Sequence, residues 1–294
     1  MAAADLVRLA RPRHWIKNVF ILMPLPHALA SGGELRPGEL VSGLLSFCLA
    51  SSAVYVFNDL RDREADREHP TKSQRPLASG RVSPGTAVGF WLALLVGAFA
   101  LLLPASSLEA SGLEAPGIVG TYVALNLLYS MGARAVPLLD VFLLSSGYVL
   151  RVLFGCALVG VVASNWLLLC TSTLALFMAL AKRRGDVVAG LDGSHRPSLG
   201  GYDRAFLDQA IGVTSAMAVM SYALYCMEAE VLAPGREFAS LPFVVFGVLE
   251  YLRMVHVHGE GGSPVDLVLR SRVLLLCGVG WVVTTFWSLG TNPF

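Results

Sequence analysis

Long apolar runs, separated by charged residues, glycine and proline, follow one another along the sequence. Each run has about the 17 to 25 residues that an α-helix needs to cross a bilayer. This series excludes a soluble globular fold and predicts an all-α integral membrane protein with nine transmembrane helices. The predicted spans are residues 16–31, 39–57, 84–104, 116–131, 137–156, 164–181, 208–228, 239–256 and 271–289.

The composition agrees with a membrane location. Hydrophobic residues make up 55% of the 294 residues and charged residues 15%, whereas soluble proteins have about 25% charged residues. The net charge of +1 gives no reason to expect a nucleic-acid partner. The five cysteines lie far apart, without the spacing of a zinc site or a disulfide. No linker separates the runs, so residues 1–294 are predicted to form one domain.

The basic residues predict the orientation in the membrane. With the N-terminus in the cytoplasm, all but three of the 22 lysines and arginines fall on the cytoplasmic side, as the positive-inside rule requires. The exceptions are Arg36 and Arg236 on the other side and Arg151 within a span. A secretory signal peptide ending near Ala28-Leu29-Ala30 is the alternative for the N-terminus, but two prolines interrupt its apolar run.

A dense group of charges follows the second span. If the helix of residues 40–57 continues through it, Asp59, Asp62 and Asp66 fall within roughly 60° of one another, with Asn58 about 40° outside that arc. Three aligned carboxylates need a positive partner, and hard oxygen ligands suit Mg²⁺ carrying a polyphosphate. The spacing therefore predicts a magnesium site at the cytoplasmic mouth.

An ion-paired helix is the alternative for this motif, because Arg61, Arg63 and Arg67 are interleaved with the carboxylates. A second charged loop, beginning at Lys182 and containing Asp186, follows the sixth span. A second metal site and a solvated loop both fit it.

Two charges lie where charge is costly. Asp140 lies just inside the fifth span, and Arg151 follows about 16 Å along the same helix and about 20° around it. A charge at mid-membrane costs on the order of 2.5–3.5 kcal/mol on insertion scales, so both should face a polar cavity. We expect a functional role for Asp140, whereas a structural role and substrate binding fit Arg151 equally well.

The motifs match a known family. Asn58-Asp59-x-x-Asp62-x-x-x-Asp66, followed by Arg75-Pro76-Leu77 and Gly80, resembles the first Asp-rich signature of the UbiA-type intramembrane prenyltransferases. Three further segments look like its decaprenyl-phosphate phosphoribosyltransferase branch: Arg11-Pro12-Arg13-x-Trp15-x-Lys17-Asn18, Asp66-Arg67-Glu68-His69-Pro70-Thr71-Lys72 and Leu269-Arg270-x-Arg272-Val273-Leu274.

This resemblance implies nine helices around a central cavity, with the active site at the cytoplasmic face of a prokaryotic plasma membrane. It implies that 5-phosphoribosyl 1-pyrophosphate is the donor, that a polyprenyl phosphate is the acceptor, and that pyrophosphate leaves. The acceptor is itself an anionic nucleophile, so catalysis needs positioning and stabilisation of the leaving group by Mg²⁺ and cations.

The resemblance also implies roles for individual residues. Asp59, Asp62 and Asp66 would hold Mg²⁺ and pyrophosphate, and Lys17 would act with them as a phosphate clamp. The substrate-binding residues that the resemblance implies are Asn58, Lys72, Arg75, Tyr129, Arg134, Lys182, Arg183 and Asp186. Asp140, as a further catalytic residue, and Arg151, as a further substrate-binding residue, are predicted from their positions in the membrane and not from the resemblance.

The chain departs from the family pattern at two places. Ala133 and Arg134 stand where leucine and lysine are usual, and Asp186 and Asp192 are six residues apart where ordinary prenyltransferases have aspartates at closer spacing. The second difference favours the phosphoribosyl branch. Prenyl transfer to an aromatic acceptor such as 4-hydroxybenzoate and a non-enzymatic lipid-phosphate carrier remain alternatives. The Gly278-x-Gly280 pattern also permits contacts between the subunits of a homo-oligomer.

Overall fold

The computed structural model describes residues 3–30, 36–68, 72–103, 109–110, 113–191, 193, 196–257 and 264–289. Most of these residues are helical. The α-helices are α1 (Ala3–Ala10), α2 (Leu25–Ala30), α3 (Pro37–Arg61), α4 (Arg63–Glu68), α5 (Pro84–Ala100), α6 (Ala115–Met131), α7 (Leu139–Val159), α8 (Asn165–Val188), α9 (Arg204–Glu228), α10 (Leu241–Val257), α11 (Pro264–Arg270) and α12 (Arg272–Ser288). A short antiparallel pair of strands, β1 (Glu109–Ala110) and β2 (Leu113–Glu114), precedes α6.

Several helices are suited to a bilayer. By length and composition, α3, α7, α8 and α9 are long and apolar enough to cross a membrane, and α5 and α12 are shorter apolar helices. The predicted spans from 39–57 to 271–289 each overlap one of the longer helices. The count of nine spans stays a prediction.

The first predicted span, residues 16–31, is wrong as a single α-helix. Pro12–Leu22 form a 3-10 helix, and α2 follows it as a separate short helix. Pro24 and Pro26 lie where the two segments meet, and a proline has no N–H for the helical ladder. The apolar run therefore bends instead of continuing.

The 3-10 helix Pro12–Leu22 is unusual because 3-10 runs longer than about four residues are uncommon. Tertiary contacts hold it against α3 and α7. Trp15 Nε1 donates a hydrogen bond to Ser52 Oγ at 2.9 Å. At Gly155 of α7 the two backbones touch, since a Cβ there would lie 2.0 Å from the carbonyl oxygen of Ile21.

The two ends of the helix bundle differ in chemistry. At one end, here the charged end, the segments after α3, α6 and α8 meet: Arg134 binds Asp62, and the Leu138 amide donates to Tyr202 Oη at 2.6 Å. At the opposite end, Trp166 donates to Glu228, and Arg236 donates to the carbonyl of Trp287. The charged loops thus converge on one end, as the distribution of basic residues predicted.

The close approach at Gly155 gives a stability prediction. Gly155→Ala should lower the free energy of unfolding by about 1–3 kcal/mol, because the 3-10 helix must move away from α7. Gly120→Ala in α6 is the matched control, since its Cβ would meet nothing within 4 Å, and removing a helical glycine stabilises by about 0.5–1 kcal/mol. Thermal unfolding in detergent measures both changes. Equal stability of the two variants would contradict the close packing.

Candidate active site

The three motif aspartates, Asp59, Asp62 and Asp66, lie at the charged end but not on one continuous helix. α3 ends at Arg61, Asp62 occupies the break, and α4 begins at Arg63. The predicted uninterrupted stripe is therefore wrong. Aspartate is unfavourable inside helices because its short side chain forms hydrogen bonds with nearby backbone groups in non-helical conformations. Here α3 ends directly before Asp62.

Asp59 and Asp66 nevertheless meet. Arg75 Nη1 lies 3.1 Å from Asp59 Oδ1 and 2.6 Å from Asp66 Oδ2, so one nitrogen joins both carboxylates. Arg11 also binds Asp59. The two aspartates are only 2% and 3% exposed, and a buried carboxylate needs such partners to stay charged. Arg75 and the two aspartates form the centre of the candidate site.

Asp62 points to a different partner. Arg134 Nη1 and Nη2 donate to its two oxygens at 2.9 and 2.7 Å, the bidentate geometry that guanidinium groups favour. This hydrogen bonding and charge raise the pKa of Arg134. Asn58 Oδ1 accepts a hydrogen bond from Ser130 Oγ. The start of the acidic motif is thereby fixed to the end of α6.

Asp140 and Arg183 form a second buried centre, and both are 0% exposed. Asp140 Oδ2 accepts from Arg183 Nε at 2.7 Å and from Ser198 Oγ at 3.0 Å, and Oδ1 accepts from Tyr202 Oη at 2.6 Å. Burial and the bond to Asp140 raise the pKa of Tyr202. Arg183 Nη1 also lies 3.2 Å from Asp186. Asp140 is therefore enclosed by hydrogen-bond donors of the protein, and its contact with Arg183 fixes the position of that guanidinium.

Arg151 is also enclosed, at 4% exposure. Its hydrogen bonds go to neutral groups of Asn18, Gly147, Ser51 and Tyr122. Arg151 and Asp140 were predicted to share one face of α7, but they have no binding partner in common. Asp140 binds residues of α8 and of the segment after it.

Two lysines at the charged end stand apart from these pairs. Among the described residues, no hydrogen bond or ion pair holds the ammonium groups of Lys17 and Lys182, although each side chain is partly buried. Arg183, Arg196 and Lys72 are the positive charges near Lys182, and Asp186 is the opposing negative charge. Two cations without an ion pair, in surroundings with more positive than negative charge, form a candidate site for an anion.

An apolar cavity of about 380 Å³ lies between the 3-10 helix, α8, α9, α10 and α12. Its walls include Phe20 of the 3-10 helix, Met178 of α8 and Trp281 of α12. Lys17 precedes Phe20 by three residues, which places both on one face of a 3-10 helix. Lys182 follows Met178 by four residues, which places both on one face of an α-helix. Lys17 and Lys182 thus lie one helical turn from two wall residues of the cavity, in the direction of the charged end.

The remaining candidate residues, Tyr129 and Lys72, lie in segments at the charged end. Tyr129 Oη accepts a hydrogen bond from Arg196 Nη1 at 3.3 Å, and Lys72 begins a short 3-10 turn before Arg75. His69, Pro70, Thr71 and Asp192 lie outside the described residues.

The described residues contain no group of three His, Cys, Asp or Glu side chains that could hold a metal ion by itself. The hard oxygens of Asp59 and Asp66 still fit a divalent cation, because one positively charged nitrogen already lies between them. These carboxylates suit an ion that a phosphorylated substrate also ligates.

Sequence reasoning assigned no site role to Arg11, Ser198 or Tyr202. Arg11 reaches Asp59 from a left-handed backbone conformation, with φ 50° and ψ 57°. The position of Arg11 in the Arg-Pro-Arg motif was the sequence signal that could have indicated a role for it. Ser198 and Tyr202 approach Asp140 only through folding of the segment between α8 and α9, so no local pattern marks them.

Comparison with known proteins gives one consistent family. Residues 19–258 match the UbiA prenyltransferase family. Decaprenyl-phosphate phosphoribosyltransferase of Corynebacterium glutamicum is 33% identical over 99% of this chain and 88% of its own length. The Mycobacterium tuberculosis protein of the same name is 34% identical over 96% of this chain and 93% of its own length.

The fold has solved counterparts. A UbiA homolog from Archaeoglobus fulgidus, bound to GPP and Mg²⁺, superposes with a TM-score of 0.73 at 20% identity, covering 99% of this chain and 100% of that chain. The likeness at this identity concerns the fold alone. The family match over most of the chain identifies this protein as a member of the UbiA prenyltransferase family.

Proposed function

We infer that this protein is a transferase that moves the 5-phosphoribosyl group from 5-phosphoribosyl 1-pyrophosphate to a polyprenyl phosphate such as decaprenyl phosphate. An acceptor phosphate oxygen attacks C1 of the ribose, the bond from C1 to the pyrophosphate oxygen breaks, and its electron pair leaves with pyrophosphate. The relatives named decaprenyl-phosphate phosphoribosyltransferase cover nearly the whole chain. The structural observation that carries the proposal is the apolar cavity, with Lys17 and Lys182 one helical turn from its wall residues Phe20 and Met178.

The donor would bind at the three motif aspartates. Asp59, Asp62 and Asp66 would hold Mg²⁺, which supplies positive charge to the leaving pyrophosphate when bound. Arg75, whose guanidinium lies beside two of these carboxylates, would donate hydrogen bonds to the pyrophosphate oxygens. The acceptor phosphate is already an anionic nucleophile and needs no base, so positioning of the substrates and stabilisation of the leaving charge dominate catalysis.

The acceptor would bind along the cavity. Its apolar walls suit isoprenyl units, and the ammonium groups of Lys17 and Lys182 would receive the phosphate head group. Arg183 would support the head group from a fixed position, with Asp140 acting as a positioning residue rather than as a base.

We place the charged end in the cytoplasm of a prokaryotic cell and keep nine membrane spans in this proposal. The basic loops support this orientation through the positive-inside rule. The bent segment of residues 12–30 would then count as the first span, with its 3-10 helix packed inside the bundle.

Donor specificity gives the direct test of the reaction. Purified protein with Mg²⁺ should release pyrophosphate when 5-phosphoribosyl 1-pyrophosphate and a polyprenyl phosphate are supplied together, and excess EDTA should abolish the release because the leaving charge is no longer neutralised. Transfer of labelled ribose to lipid is the measurement. Product from prenyl pyrophosphate and 4-hydroxybenzoate, with none from the ribosyl donor, would favour aromatic prenyl transfer instead.

The unpaired and bridging cations should matter most for turnover. Lys17→Ala and Arg75→Ala should each lower kcat/KM by about 10²-fold, the scale of losing one well-placed electrostatic donor. Arg75→Lys should recover only part of this loss, because an ammonium cannot reproduce the guanidinium fork.

Two arginines serve as controls for this series. Arg8 is 68% exposed at the charged end, and Arg36 is 58% exposed at the opposite end. Arg8→Ala and Arg36→Ala should keep near-normal kcat/KM. A loss at Arg36 as large as that at Lys17 would contradict the location of the site.

Asp140→Asn tests the positioning role. Removing one charge of a buried pair costs about 3–5 kcal/mol, so its apparent melting temperature should fall strongly. Ser198→Ala, which removes one neutral donor to the same carboxylate, should cost about 1 kcal/mol. An Asp140→Asn protein of normal stability without activity would instead assign Asp140 to catalysis.

A further inference from the structure

Arg151 differs from the other deeply buried arginines of the described chain. Arg183 is paired with Asp140, and Arg184 is paired with Asp208. Arg151 is 4% exposed and makes no ion pair with any described carboxylate. An unpaired charge inside a membrane protein is costly, and such charges mark functional positions.

The donors of Arg151 are occupied by the protein. Nε donates to Asn18 Oδ1 at 2.9 Å, Nη1 donates to the Gly147 carbonyl at 2.7 Å, and Nη2 lies 3.2 Å from Tyr122 Oη. The rings of Phe47, Tyr122 and Tyr148 lie 4.9–5.7 Å from its guanidinium carbon. Neutral dipoles and ring faces therefore solvate the charge without cancelling it. Arg151 has little capacity left for direct contact with a substrate.

Arg151 contacts the 3-10 helix through Asn18. Asn18, which holds Nε, follows Lys17 directly in the sequence, and Asn18 Nδ2 also donates to Cys48 Sγ at 3.2 Å. Arg151, Lys182 and Arg11 are the positive charges near Lys17, and Asp266 is the opposing negative charge. The backbone beside Lys17 is thus anchored through Asn18 to a cation that has no ion pair.

We propose that Arg151 is a positioning residue that makes the charged end of the cavity select a lipid bearing a phosphate over a neutral lipid of the same length. It fixes the backbone beside Lys17 through Asn18, and its uncompensated charge adds to the positive potential there. A carboxylate in contact with Arg151 would cancel this potential, whereas the neutral partners of Arg151 preserve it. The proposal rests on the proposed acceptor site but not on turnover.

Equilibrium binding of farnesyl phosphate and of farnesol to the purified full-length protein in detergent tests the proposal. Arg151→Gln should weaken binding of farnesyl phosphate about tenfold, the scale of one charge acting over about 10–15 Å at an effective dielectric of about 20. Arg151→Lys keeps the charge and should retain most of the affinity. Farnesol should bind all three proteins alike, because the cavity walls are unchanged.

A second variant covers the case in which substitutions of Arg151 do not fold. Asn18→Asp keeps an acceptor for Nε and gives Arg151 a counter-charge, so it should also weaken farnesyl phosphate about tenfold while sparing farnesol. The same change at Asn165, exposed at the start of α8 at the opposite end, is the control and should alter neither affinity.

The outcomes separate an electrostatic role from a structural one. Unchanged farnesyl phosphate binding in Asn18→Asp, or an equal loss for farnesol and farnesyl phosphate in Arg151→Gln, would overturn the proposal. The assay contains no ribosyl donor. If the wild-type protein shows the selectivity but no phosphoribosyl transfer, the proposed reaction fails and the role of Arg151 stands.

Discussion

Charge pairing in a low-dielectric interior is the interaction on which the charged end depends. Buried carboxylates there are matched by arginines from distant segments: Asp59 and Asp66 by Arg75, and Asp140 by Arg183. Breaking such a pair leaves an uncompensated charge, which is more costly than never having built it. The pairs therefore hold the ends of α3, α7 and α8 in one arrangement, and the site is formed by the same contacts that hold the fold.

Lys17 and Lys182 differ from these arginines because neither has an ion pair in the part of the chain that the structure describes. Arginine forms planar, multiple hydrogen bonds and takes the structural pairs, whereas the lysine ammonium is a compact charge on a flexible stem. Lys17 and Lys182 lie one helical turn from the cavity wall residues Phe20 and Met178, without an ion pair among the described residues. A phosphorylated lipid would supply the missing negative charge, so substrate binding would complete the charge balance that folding leaves open.

The N-terminal segment shows how backbone geometry serves this arrangement. Prolines prevent a continuous helix, and Gly155 lets α7 touch the 3-10 helix at Ile21. The 3-10 periodicity then places Lys17 and Phe20 on one face.

The sequence by itself determined the membrane class, the positions of most long helices, the charged end and the identity of the acidic motif, because hydropathy and charge are local properties of the chain. It could not determine that Asp62 breaks the helix and binds Arg134, or that Ser198 and Tyr202 enclose Asp140. Those outcomes depend on which distant donor reaches each carboxylate. Only tertiary packing decides that, since the free energy of a buried charge depends on every neighbour that the fold brings to it.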